Sequence, residues 1–299
     1  MEGRCAFGAP AAPCMPKRPL FLLFLVPSLV IACIFIAALA EILQYSFREF
    51  IPGSLDVGGL TLANFARLER PVYFYAIVNT FWLSLLTAAF TLVLSYPLAY
   101  ALVRTRHNGL RTVLIILSIS PLFTGEIVRT YAWMLLLGSE GMINTMLKSL
   151  GLIQTSIPLM YTRAGVVIAL VQYAMPVMII LLATAISHIN SDYEKAAANL
   201  GAPPGRVFWR ITVPLTMPGI VAGFIVICAW TMSAFATPQL IGGGKILMIS
   251  NTVYLAGFSA LNFPFAATMS VVALVSALGT FALMKVATSR IERRTAIHS

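Results

Sequence analysis

Glu126 and Arg129 are the side chains with the largest chemical consequence in this sequence: opposite charges three residues apart, inside an apolar run from Thr112 to Gly138. A charge at bilayer depth costs about 2.5–3.5 kcal/mol on insertion scales, so both must face protein or water. Helical spacing puts them on one face, which favours an internal pair bracing the helix after Pro121. The alternative is a pathway carboxylate that attracts a cationic solute. Asn79, Gln172, Tyr173, Trp230 and Ser233 are further polar or aromatic residues in apolar runs. Their ordinary use is helix-to-helix contact, but Tyr173, just before Met175-Pro176, and Trp230 also offer ring faces to an ammonium-bearing chain.

Other chemistries lack their residues. Gly242, Gly243 and Gly244 precede Lys245, but Ile246 stands where a phosphate loop needs Ser or Thr to hold magnesium. The chain is therefore expected not to hydrolyse ATP itself, and to bind no cofactor or metal. His107, His188 and His298 lie at or beyond the ends of apolar runs with no HExxH, and no GxSxG occurs. An intramembrane enzyme needs a nucleophile and base or paired metal ligands, so that class is the rival and the weaker one. The four cysteines show no CxxC spacing, and Cys33 and Cys228 fall in apolar runs where a thiol is a small hydrophobe.

These side chains have to be positioned by membrane helices. Of 299 residues, 59% are hydrophobic and 10% charged, against about 25% charged in soluble domains, which excludes a water-soluble enzyme. A helix needs about 20 mostly apolar residues to cross the hydrocarbon core. Six such runs are present, roughly Leu20 to Leu43, Ala76 to Val103, Thr112 to Gly138, Ala164 to Ile189, Thr216 to Thr237 and Phe265 to Val286. The first comes after Lys17 and Arg18 but exceeds the roughly 7 to 15 apolar residues of a signal peptide, so it is expected to be an anchor. The expected fold is all-α and integral to the membrane, with six transmembrane helices. Its expected parts are a tail at 1–19, a six-helix domain at 20–286 with a cytoplasmic loop at 190–218, and a tail at 287–299.

Thirteen of the twenty Lys and Arg fall on the side of this arrangement that holds both ends, six on the other and one, Arg129, within the third run. The excess of positive charge places the N and C termini in the cytoplasm. The net charge of +10 is then a topology signal spread over short loops, not a nucleic-acid surface. On the far side, Thr61 to Glu69 and Met142 to Leu150 are expected to form short interfacial helices, with Ile143, Met146, Leu147 and Leu150 sharing a face.

One cytoplasmic loop has a pattern of its own, SDYEKAAANLGAPPGRVFWRITVPLTMPG from Ser191 to Gly219. Glu194 to Leu200 favours helix, Gly201 can adopt the left-handed conformation that ends one, and Pro203 or Pro204 suits the first turn of the next. The expected result is a helix–turn–helix elbow on which Phe208, Trp209 and Ile211 present apolar surface to a protein partner, or alternatively to lipid. The stretch resembles the EAA loop of permease subunits of ABC importers. Ala196 and Ala197 supply the alanines, and Gly201, Phe208, Ile211 and Pro214 are in register. Two positions depart: Lys195 occupies the glutamate slot with Glu194 one place earlier, and Val213 replaces leucine.

The resemblance extends over almost the whole chain. GLTLANFARL (Gly59 to Leu68), SYPLAYALVR (Ser95 to Arg104), PLFTGEIVRTYAWMLLLG (Pro121 to Gly138) and ATPQLIGGG (Ala236 to Gly244) are similar to the spermidine and putrescine branch. It implies a type I ABC importer permease of the bacterial inner membrane. The coupling residues would be Glu194, Lys195, Ala196, Ala197, Gly201, Phe208, Ile211 and Pro214, and the substrate pathway would include Glu126, Arg129, Tyr173, Trp230 and Ser233. It further implies a second related permease, a dimer of ABC ATPases that uses ATP and magnesium, and an external solute-binding protein, all beside membrane lipid. A polyamine is the leading solute; an opine-like compound, a phosphonate or iron is the alternative.

Overall fold

The computed structural model describes residues 18–54 and 56–296, with side chains described for 25–54 and 56–285. Most of the expected N-terminal tail, with Cys5 and Cys14, and the last three residues, with His298, lie outside the described residues.

The chain opens with a 29-residue helix, α1 (Arg18–Ser46), then an antiparallel hairpin of β1 (Arg48–Phe50) and β2 (Val57–Leu60). A single turn, α2 (Ala63–Ala66), passes through a 3₁₀ turn at Arg67–Glu69 into the 34-residue α3 (Pro71–Arg104). Proline at the first position of α3 costs no hydrogen bond, because that N–H has no partner inside the helix. Next come α4 (Asn108–Ile119), a 3₁₀ turn at Ser120–Phe123, α5 (Glu126–Leu137) and α6 (Met142–Ser149). The Thr162 side chain caps α7 (Arg163–Ser187) by accepting from Gly165 N. Two short helices, α8 (Asp192–Asn199) and α9 (Pro204–Val207), lead through a π-helical turn at Phe208–Thr212 into α10 (Val213–Met232). Finally, α11 (Ala236–Gly242), α12 (Ile249–Tyr254) and a π-helical turn at Leu255–Ser259 precede the 34-residue α13 (Phe263–Ala296).

Five of these stretches are long and apolar enough to cross a membrane, and a sixth span exists only as a bent pair. The third run, expected as one helix, is instead broken, with Asn108–Phe123 and Glu126–Ser149 inclined at 106°. Glu126 therefore stands at the first position of a new helix after the break, not near the middle of a continuous one. The fifth run stops at Met232, short of Thr237, which belongs to the separate helix α11. Both expected short helices are present, but on α6 the fully buried residue is Asn144, while Met146 and Leu150 are exposed.

Three helices, α3, α7 and α10, pack on one another at the centre; α12 and α1 lie against α13, and α11 lies against α5 and α7. In lipid no hydrophobic force draws helices together, so close approach depends on small side chains. The buried face of α3 supplies them: Ala76, Thr80, Ser84, Thr87, Ala88, Thr91, Ser95 and Ala99 recur every three or four residues. On α10, Gly219 and Gly223 do the same towards α7. A Cβ at Gly219 would overlap that of Ala185, and one at Gly223 would come within 2.8 Å of Met178 Sδ. Gly219→Ala is expected to destabilise the bundle by about 1–3 kcal/mol through overpacking. Gly109→Ala, at a position with nothing within 4 Å of the added carbon, should be neutral. Thermal unfolding of the two purified variants in one detergent checks the contrast.

Candidate functional site

The break in the third span sets the geometry of its charged residues. Arg129 Nη1 donates to Pro121 O at 3.0 Å, supplying a partner to a carbonyl at the break, and its guanidinium lies 4.5 Å from the centre of the Tyr173 ring. Arg129 is thus committed to the framework and to an aromatic face. The ion pair expected between Glu126 and Arg129 is not formed, and no ion pair among the described residues involves Glu126. Helical spacing brings the two residues to one face, but at the bend Arg129 bonds Pro121 O, which also accepts from Thr124 N at 3.3 Å.

The aromatic residues on α7 and α10 do meet. Trp230 Nε1 donates to Tyr173 Oη at 2.9 Å, and the rings sit edge to face at 5.4 Å. Arg129, Tyr173 and Trp230 therefore form one half-buried chain joining α5, α7 and α10, with Glu126 one turn away on α5. Ser233 is exposed at the end of α10 and returns its hydroxyl to Trp230 O at 2.8 Å, so it caps the helix. Gln172 accepts from Trp133 Nε1 at 3.1 Å in the wall of an apolar hollow of about 670 Å³ between α3, α5 and α7. That hollow is lined mainly by Leu86, Phe90, Leu94, Val171 and Met175, and offers little to a polar solute.

The segment after α10 was missed by sequence reasoning, and α3 holds it in place. Asn79 Nδ2 donates to Leu247 O at 3.0 Å, and Ile249 N donates to Thr80 Oγ1 at 2.9 Å. Asn251 receives Met248 N at 3.1 Å and donates to Gln239 Oε1 at 2.9 Å, while Thr130 and Thr237 hydroxyls meet at 3.3 Å between α5 and α11. The signal was present as Asn and Thr within apolar sequence, but not the identity of their partners.

At the elbow, Gly201 ends α8 in the left-handed conformation, as the sequence predicts. Gly201 has φ +82°, Gly201 N donates to Ala198 O at 2.9 Å and Ala202 N to Ala197 O at 3.1 Å, a Schellman termination of α8. Lys195, Ala196, Gly201 and Pro214 are exposed, and Ala197 and Ile211 are half-buried. Phe208 does not share the outward face. It packs edge to face on Tyr96 at 5.4 Å and on Tyr100 at 5.5 Å, leaving Trp209 (69% exposed), Tyr193 and Leu200 as the apolar surface. Lys195 turns outward and bonds Asp192 at 2.8 Å, which draws the Asp192 carboxyl below its ordinary range.

Glu194 turns the other way. Its Oε2 lies 3.1 Å from Arg104 Nε, and its Oε1 accepts from Arg104 Nη2 at 3.2 Å and from Thr212 Oγ1 at 2.8 Å. Arg104, the last residue of α3, also reaches Ile189 O at 3.4 Å, beyond the end of α7. One carboxylate thus joins α3, α8 and the π-helical turn before α10.

The chain as a whole is similar to relatives of known name. Residues 6–296 match the family described as binding-protein-dependent transport system inner membrane component. The chain is 35% identical over 211 residues to the spermidine/putrescine transport system permease protein PotB of Escherichia coli K12, covering 71% of this chain and 76% of that one. It is 32% identical over 215 residues to the molybdenum transport system permease protein ModB of Mycobacterium bovis, covering 68% and 78%. The fold matches a chain of a bacterial alginate ABC transporter solved in complex with an alginate-loaded periplasmic protein, with TM-score 0.73, 21% identity, and coverage of 87% and 92%. The chain accordingly belongs to the binding-protein-dependent transport system inner membrane component family and is a multi-pass, inner-membrane permease subunit of an ABC importer.

Proposed function

We propose that this permease carries a polyamine such as putrescine or spermidine, and that Glu126 is the carboxylate that meets its ammonium groups. The observation that carries the reading is the state of Glu126: a half-buried carboxylate at a helix break inside an apolar span, without an ion-pair partner among the described residues. Intramembrane carboxylates of that kind mark solute and ion paths. Tyr173 and Trp230 stand within the same cluster, and the polyamine permease of E. coli is among the relatives. A second reading rests on Arg129, whose charge is balanced by no carboxylate among the described residues. It would suit an anionic solute, as a molybdenum permease relative allows.

In this proposal the partners are a second permease, a pair of ATPases that bind ATP and magnesium, and an external binding protein. The elbow of α8 and α9, with Trp209, Tyr193 and Leu200 outward, is the docking surface for the ATPase. Both termini face the cytoplasm.

Glu126→Gln should leave assembly intact and weaken polyamine uptake selectively. Losing a charged hydrogen bond of about 1.5–3 kcal/mol corresponds to a drop of about tenfold or more. Uptake of labelled putrescine by the reconstituted importer tests it, with molybdate as the anionic control. Unchanged putrescine uptake, or a loss seen only in Arg129→Gln with molybdate, transfers support to the anionic reading.

Gly201→Pro should abolish ATP-driven uptake, because proline fixes φ near −65° where the elbow requires +82°. Gly201→Asn should retain most of it, since Asn tolerates the left-handed region and no atom lies within 4 Å of its Cβ. For topology, cysteines replacing the exposed Asp56 and Lys245 should react with an impermeant reagent from the external side. Labelling from the cytoplasmic side alone would invert the orientation.

A further inference from the structure

We infer that the Arg104–Glu194–Thr212 junction is the positioning element through which displacement of the elbow and displacement of the membrane helices become one motion. The inference rests on the permease reading above and names side chains within it. Its starting point is the weakness of α8 as a freestanding element. It has eight residues, buries none of them, and packs on α9 and the π-helical turn. An isolated helix of that length is marginal in water, so α8 keeps its place through the contacts it makes, not through its own propensity.

Glu194 is its inward contact of greatest reach. The side chains of Arg104 and Glu194 are only 19% and 14% exposed, so the pair is shielded from solvent in a way the outward Lys195–Asp192 pair (61% and 70%) is not. Both carboxylate oxygens are used, and they are used on different elements: Oε2 faces α3 through Arg104, and Oε1 is shared between Arg104 and Thr212 at the start of α10. α3 and α10 each pack on α7 and on one another, so whatever moves α8 is applied to two of the three central helices at once. Thr212 closes a π-helical turn, a local unwinding that recurs at functional positions and can change register without breaking the helix. The same turn presents Phe208 to Tyr96 and Tyr100, so its inner side is clamped to α3 while its outer side carries Trp209. Lys195, in the slot where the loop pattern has glutamate, faces outward in its pair with Asp192, while Glu194 carries the internal role.

The test uses the complete importer reconstituted in liposomes with its ATPase and binding protein, and reads the factor by which binding protein loaded with putrescine or spermidine stimulates ATP hydrolysis. Coupling between sites in proteins typically spans about 5- to 150-fold, so Thr212→Val and Glu194→Gln should each reduce the stimulation factor by at least about fivefold. Thr212→Ser, which keeps the hydroxyl, should restore it. The Thr212 pair decides the matter should Glu194→Gln assemble poorly, because it leaves the Arg104–Glu194 pair in place. A stimulation factor unchanged in Thr212→Val, or equally reduced in Thr212→Ser, overturns the inference. Loss of polyamine stimulation in the unaltered importer, with stimulation retained for another loaded binding protein, counts against the proposed solute alone. The junction is then tested with that protein.

Discussion

Inside a bilayer no water is available to a peptide group that leaves a helix, and every such group must find its partner within the protein. That constraint accounts for a set of side chains that bond backbone outside the regular helices. Arg129 answers Pro121 O at the break in the third span. Asn144 holds Gly138 O and both Ile157 backbone groups beyond α5, and Asn64 holds Ser46 O and Arg48 O where α1 ends. Asn79, Thr80, Ser250 and Asn251 do the same for the segment between α10 and α12. Each bonds backbone of another turn or element, and the backbone it bonds lies at or beyond a helix end. Leaving one such buried backbone group unsatisfied costs about 1–3 kcal/mol, which is why each has a specific side chain placed against it.

The same constraint separates what is legible in the sequence from what is not. Spans are legible because hydropathy integrates over about 20 residues, and five of the six runs appear as single helices close to their expected limits. The break in the remaining one is hidden for the same reason: the window averages over Pro121 and Gly125, and both residue types are tolerated in continuous transmembrane helices. The Gly201 elbow can be deduced from local chemistry alone, since the left-handed turn, the alanines and the prolines are all within a few residues. The partner of Arg129 cannot, because Pro121 O is brought to it by a break that hydropathy does not reveal. Arg104 and Thr212 carry no local sign of their role, as each becomes meaningful only beside Glu194, 90 and 18 residues away.

Small residues and aromatic residues divide the interior between them. Where α3, α7 and α10 must approach closely, Ser, Thr, Ala and Gly occupy the contact, and Gly219 admits Ala185 with no space to spare. Rings gather at the two ends of that contact instead. Tyr96, Tyr100 and Phe208 fill the end near the elbow, and Tyr173 with Trp230 fills the region next to the broken span. A tightly packed middle transmits displacement because side chains at interior density cannot absorb it by compression.

The two ring clusters share one helix, α10. The elbow-side cluster rests on the π-helical turn at the start of that helix, and Trp230 lies near its other end, bonded to Tyr173 and through it stacked against Arg129. Between them α10 packs closely on α7 at Gly219 and Gly223, and Tyr173 joins Trp230 to the broken span. Arg129 is held there by a hydrogen bond to Pro121 O and by a ring face, not by a dry ion pair. Such contacts are worth about 1.5–3 kcal/mol for the charged hydrogen bond and about 0.5–2 kcal/mol for the ring contact. A salt bridge would have tied Glu126 to Arg129 across one turn of α5, whereas in this arrangement the Arg129 guanidinium is turned to the break and to the Tyr173 ring, and the Glu126 carboxylate makes no ion pair among the described residues.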